Sequence, residues 1–105
     1  MVALLSARNG FSQDRNLKFE HIGTREGLSQ INVSTIIQDS RGFMWIGTRD
    51  GLNRYDGYSF VIYKHSIQDD NSLSSNLISD IAEDKEGNIW LATLFGLNKL
   101  DRKTG

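Results

Sequence analysis

The chain has 105 residues, a formal net charge of −1 and 24% charged residues. That length holds one domain at most, and the near-neutral balance offers neither a basic stripe for nucleic acid nor a polybasic membrane anchor. Cysteine and proline are absent, which excludes thiolate metal sites, thiol nucleophiles and stiff proline linkers.

Met1 to Ala7 is a short apolar run, too short to span a bilayer. It reads as the tail of a secretory signal peptide cleaved near Ala7, or as a frayed terminus. With the polar stretch Arg8 to Asn16 it makes residues 1–16 a signal-peptide remnant or a disordered N-terminus. Leu17 to Ile22 alternates apolar and polar, so residues 17–32 read as a lead-in strand and loop. In that loop Gln30 and Asn32 are candidates to face a ligand, set against simple hydrogen bonding within the loop.

Val33 to Gln38 is β-branched and apolar, a strand. Asp39-Ser40-Arg41-Gly42 has type I turn chemistry, with a glycine for the left-handed residue that follows. Phe43 to Thr48 and Gly51 to Asp56 are further strands, Asp56-Gly57 is a tight turn, and Tyr58 to Lys64 alternates as a fourth strand. Residues 33–65 thus form one four-stranded antiparallel unit. Residues 66–76 are a polar bridge with an acidic tip at Asp69-Asp70-Asn71, which supplies too few ligands for a cation by itself. Residues 77–105 carry strands at Leu77–Glu83, Asn88–Thr93 and Gly96–Leu100, and stop before a fourth. The expected strands are 17–22, 33–39, 43–48, 51–56, 58–65, 77–84, 88–93 and 96–101, with no long helix.

The second unit repeats the first at a constant offset of 45 residues. Leu28, Ser29, Ser34, Ile36, Asp39, Gly42, Trp45, Thr48, Gly51, Leu52, Asn53 and Asp56 all recur, twelve identities in 29 positions without a gap. Val33/Ile78, Met44/Ile89, Ile46/Leu91 and Arg54/Lys99 are conservative pairs. A repeat of this period built from short antiparallel strands is one blade of a β-propeller. The fold class expected is all-β, about two four-stranded antiparallel blades of an incomplete propeller. Trp45 and Trp90, each mid-strand between apolar neighbours, are expected to fill the space between blades rather than to stack on sugars.

The pattern D-x-x-G-x-[IM]-W-[IL]-[GA]-T-x-x-G-L-x-[RK]-x-D, present as Asp39–Asp56 and Asp84–Asp101, resembles the two-component regulator propeller repeat. Phe19-x-x-Ile22 followed by Glu26-Gly27-Leu28-Ser29 resembles the opening of such sensors. The resemblance spans residues 17–101. It implies a seven-bladed propeller, often in tandem, forming the periplasmic sensor of a membrane-bound hybrid histidine kinase tied to polysaccharide use. The segment is then the N-terminal part of that sensor, at the periplasmic face of the inner membrane. An oligosaccharide is the implied ligand, the membrane is reached only through a downstream part, and the partners are the remaining blades of a parent chain or other copies of this one. In the exchange between copies, Leu17–Ile22 of one would lie beside Gly96–Leu100 of another.

A repeat fold keeps its scaffold and varies its binding face. The turns Thr48-Arg49-Asp50-Gly51 and Thr93-Leu94-Phe95-Gly96 keep Thr and Gly and change the middle pair, so Arg49, Asp50, Leu94 and Phe95 join Gln30 and Asn32 as candidate ligand-binding residues. Neither turn is a phosphate loop, since no Lys-Ser/Thr follows the glycine. Asp39-x-x-Gly42 and Asp84-x-x-Gly87 lack the alternating oxygen ligands of a calcium loop. No nucleophile–base pair, zinc spacing or phosphoacceptor-histidine motif is present, His21 stands alone, and neither enzyme activity, metal nor cofactor is expected of this segment. The alternative to a sensor is a propeller that binds protein as a scaffold and senses nothing; a transmembrane segment and kinase encoded downstream would separate the two.

Overall fold

The computed structural model describes residues 17–102; the expected signal remnant at 1–16 lies outside the described residues. Among the described residues, seven strands follow a 3-10 turn at Thr24–Glu26: β1 Val33–Gln38, β2 Met44–Thr48, β3 Gly51–Tyr55, β4 Phe60–Tyr63, β5 Ile78–Glu83, β6 Ile89–Thr93 and β7 Gly96–Leu100. They form two antiparallel meanders, β1-β2-β3-β4 and β5-β6-β7, called here blade one and blade two. The tight connections follow from the residues expected to make them. Gly42 and Gly87 take φ of 95° and 87°, a conformation that costs glycine little.

The two blades are copies in register. Gln38 pairs with Met44 and Ile37 with Trp45 in the first, as Glu83 pairs with Ile89 and Ala82 with Trp90 in the second. Both first strands carry a bulge at the same place, between Val33 and Thr35 and between Ile78 and Asp80. Ser34 and Ser79 sit at these bulges, and their hydroxyls donate to the carbonyls of Gly47 at 3.0 Å and Ala92 at 3.1 Å. That explains why serine recurs there.

Residues 17–22 form no strand. The alternation is present, but a strand needs a free edge to bond. Ile22 lies beside Leu28 and Ile36 against the outer face of blade one. The segment bonds none of the open sheet edges, at β1, β4, β5 and β7.

Each sheet has two faces, set by the period-two alternation. The inner face of blade one presents Ile37, Trp45, Leu52 and Tyr63 to Ile78, Ile81, Ile89, Leu91 and Leu100 of blade two, with Leu73 closing the layer. Trp45, Ile78 and Ile89 are fully buried. Trp90 is only half-buried, because its own face has no blade against it. At Gly47 the packing of the blades leaves no room for a side chain. A Cβ there would stand 2.7 Å from Ile78 Cγ2 and 2.8 Å from Thr35 Cγ2. The counterpart, Ala92, lies on the uncovered face of blade two.

Polar contacts fix this packing. Asp39 Oδ1 accepts the backbone N–H groups of Arg41 and Phe43, each at 2.9 Å, which shapes the turn. Its Oδ2 accepts the Trp45 indole N–H at 2.7 Å and the Arg102 guanidinium at 2.8 Å. Arg102 comes from the end of blade two, and its guanidinium lies 5.3 Å from the Trp45 ring centroid. One carboxylate therefore joins a turn, a core indole and the neighbouring blade. Glu83 adds a second bridge, accepting the Ser40 backbone N–H at 2.9 Å and the Ser40 hydroxyl at 2.6 Å. Asp84 repeats the first half of the device, with Glu86 and Asn88 amides at 2.9 Å and the Trp90 indole at 2.8 Å.

Burial alone would raise the Asp39 pKa, but the hydrogen bonds from Trp45, Arg102, Phe43 and Arg41 outweigh it and hold the carboxyl below its ordinary value. The Trp90 indole lowers Asp84 against a smaller desolvation effect, and the Ser59 and Tyr58 amides lower Asp56. A depressed folded pKa contributes stability that is complete above the unfolded value and lost as pH falls through the folded one.

Thermal melts check this packing. Gly47→Ala should destabilise by about 1–3 kcal/mol through overpacking, whereas Ala92→Gly should change the melting temperature far less. Arg102→Ala should cost about 3–5 kcal/mol by leaving a buried carboxylate without its ion partner. With falling pH the wild type should hold its stability down to about pH 4 and lose it below, since unfolded aspartates titrate near 3.9. Asp39→Asn should start lower at neutral pH and show a shallower loss.

Candidate functional site

The antiparallel pairing decides which loops share an end. Val33 pairs with Thr48 and Leu52 with Tyr63, so the entry loop, the β2–β3 turn and the exit from β4 all lie at one end of blade one. Ile78 pairs with Thr93, which places the β6–β7 turn at the matching end of blade two. The bonds run continuously from loop to loop. Ser29 bonds Thr48, the Gly51 N–H donates to the Asn76 carbonyl at 2.6 Å, and Ser74 bonds Thr93. The loops at 23–32, 48–51, 66–76 and 93–96 therefore make one rim.

A repeated polar cluster holds this rim. The Ser29 N–H donates to Asn53 Oδ1 at 2.9 Å, Asn53 Nδ2 donates to Ser29 Oγ at 2.8 Å, and the Ser29 and Thr48 hydroxyls lie 3.0 Å apart. Thr48 Oγ1 also donates to the Gly51 carbonyl and accepts the Asp50 N–H, both at 3.0 Å. In blade two the Ser74 N–H donates to Asn98 Oδ1 at 2.9 Å, the Ser74 and Thr93 hydroxyls are 3.0 Å apart, and Thr93 accepts the Phe95 N–H at 3.2 Å. Ser, Thr and Asn thus recur because they pin each entry loop to its turn. Thr48 and Asn53 are fully buried, so these groups are scaffold and do not meet solvent.

The tips differ between blades. Arg49 is exposed. Asp50 accepts from Lys64 Nζ at 3.0 Å, an exposed pair of little weight for stability. Leu94 and Phe95 are 62% and 73% exposed. Gln30 turns back on its own loop, its Oε1 accepting the Asn32 N–H at 2.7 Å, and Asn32 is exposed. The structure therefore places Arg49, Asp50, Leu94, Phe95, Gln30 and Asn32 along one rim. The blade-one end of it is charged and the blade-two end apolar.

The acidic tip of the bridge is occupied by its own turn, with Asp69 Oδ1 accepting the Asn71 N–H at 2.9 Å. Among the described residues no group of three metal-binding side chains comes together. Sequence reasoning missed Arg102 and the double role of Asp39. The spacing from Asp39 to Trp45, repeated from Asp84 to Trp90, carried that signal. Arg102 carried none, because Gly57 stands at the equivalent place in the first repeat.

Two sheets stacked face to face, with matching registers and a shared loop rim, are adjacent blades of a β-propeller. The two-component regulator propeller model matches residues 27–50 and 72–95, once in each repeat. A histidine kinase from Formosa agariphila is 44% identical over 63 residues, 60% of this chain and 5% of the relative. The extracellular domain assigned to a hybrid two component system of B. thetaiotaomicron superposes with a TM-score of 0.74 at 35% identity, over 81% of this chain and 12% of that one. A second such domain from the same organism gives 0.61 at 32% identity, over 67% and 10%. The chain thus spans a small part of the length of these relatives.

If the polar cluster is scaffold, Asn53→Leu should lower stability by about 1–3 kcal/mol through the unsatisfied Ser29 amide and hydroxyl. Amide hydrogen exchange should show the 23–32 loop opening before the strands do.

Proposed function

We propose that this chain forms blades of the extracytoplasmic sensor domain of a hybrid two-component histidine kinase, on the periplasmic side of the inner membrane, and that its rim contributes to recognition of a glycan or oligosaccharide. The observation that carries the first part is the superposition of 81% of the chain on an extracellular domain of such a system at 35% identity. The rim supports the second. Arg49 and the Asp50–Lys64 pair offer charged hydrogen-bonding groups, and Phe95 an exposed aromatic face, the two kinds of contact that fix polar, ring-shaped ligands. Recognition by propeller loops requires no catalytic group, and the segment signals only through the remainder of its parent.

The test uses the sensor kinase that carries these blades. Arg49→Ala with Asp50→Ala should reduce oligosaccharide-dependent autophosphorylation at least several-fold, with the folding stability of the domain unchanged within about 0.5 kcal/mol, the usual range for surface substitutions. Normal signalling in a destabilised double variant would assign these residues to the scaffold.

A further inference from the structure

Where the rim crosses from blade one to blade two, it is held by residues that the repeat does not demand. The Asn76 carbonyl accepts the Gly51 N–H at 2.6 Å, and its side-chain Oδ1 accepts the His65 N–H at 2.6 Å. One asparagine thus ties the turn that carries Arg49 and Asp50 to the chain leaving β4. Lys64, the residue before His65, makes a second link to that turn through its 3.0 Å contact with Asp50. At the equivalent places 45 residues earlier, Glu20 stands for His65 and Ile31 for Asn76. Ile31 is 69% exposed, and blade one forms its sheet without either group, so the blade itself does not require them.

The His65 ring is held as firmly as its backbone. Its Nδ1 lies 2.6 Å from the carbonyl oxygen of Leu73, a residue buried in the layer between the blades. A carbonyl only accepts, so Nδ1 carries the proton and the neutral ring has a bare Nε2. That nitrogen has no hydrogen-bond partner among the described residues, and His65 is exposed. Fixing one ring nitrogen on the main chain sets the tautomer and aims the other.

We propose that His65 is a ligand-contact residue of the rim, its Nε2 accepting a hydrogen bond from a hydroxyl of a neutral oligosaccharide, with Asn76 as its positioning residue. The inference rests on the glycan reading of the rim and narrows it. A bare imidazole nitrogen needs a donor, which a sugar hydroxyl supplies and a carboxylate or sulfate oxygen does not. Arg49 offers donors only, so the two side chains ask for a ligand that both gives and accepts hydrogen bonds, as hydroxyl groups do.

Two isosteres separate contact from support. Asn keeps an amide N–H where Nδ1 stands and places nothing at Nε2. Gln places its amide where Nε2 stands and leaves the Leu73 carbonyl without its donor. The sensor kinase that carries these blades, held in nanodiscs, is titrated calorimetrically with cellohexaose, maltohexaose, xylohexaose, mannohexaose and a chondroitin sulfate hexasaccharide. For the neutral sugar that the wild type binds, His65→Asn should weaken binding about tenfold, the worth of one hydrogen bond, with the melting temperature unchanged. His65→Gln should recover most of that loss and melt lower. The ratio of the two affinities decides even if both variants melt lower. Unchanged affinity in His65→Asn, or equal losses in both variants, overturns the contact and leaves the glycan reading standing. Binding of the sulfated sugar alone does the same. A wild type that binds none of the five overturns both.

Discussion

The structure depends on one blade covering the face of the next. A single four-stranded meander is a sheet with an apolar face and too little else to hide it against, so it has no core alone. Trp45 is wholly buried and Trp90 half-buried, with the same residue, strand and turn in both places. The difference is the neighbour. The Asp39 carboxylate sits where this dependence becomes directional. Its Oδ2 holds the indole that fills the joint and the arginine that arrives from the covering blade. A buried ion pair gives modest net stability but penalises every arrangement that leaves one charge alone. At this joint it specifies which end of blade two lies over which end of blade one.

A division of labour follows from the same packing. The residues that recur at 45 positions are those that shape turns, meet the facing blade or pin the entry loop. Asp39, Gly42, Trp45, Thr48 and Asn53 are all of this kind. The turn tips at 49–50 and 94–95 carry no such duty beyond their backbone. Side chains there are unconstrained by the fold, which leaves them available for contact with a ligand. The same logic leaves the outer face of blade one, and the face of blade two that carries Trp90 and Leu97, apolar and alike in pattern to the two surfaces that meet between the blades. Each is half of a joint whose completed form is visible inside the molecule.

The repeat was legible in the sequence because blade geometry is local. Turn type, strand alternation and tight backbone approaches each demand particular residues at particular spacings, and the spacings recur unchanged. The all-β class, the two registers and the shared loop rim follow from that. The lead-in at 17–22 shows where local reading stops. Its alternation satisfies the period of a strand, but a strand is a relation between two chains of backbone, and this segment lays Ile22 against the outer face of blade one instead of bonding a sheet edge.

By itself, then, the sequence determined the blade: its strands, its turns, its repeat and the positions free to vary. Only the tertiary structure decided what each repeated residue touches. It showed that Asn53 and Thr48 are buried pins and not rim contacts, and that Gly47 is small because Ile78 is there. It showed too that Arg102, which breaks the repeat, completes the Asp39 joint across 63 positions of chain. The physical reason is that turn and strand propensities act over a few residues, whereas burial and ion pairing depend on which surface faces which. That is settled when the two sheets stack.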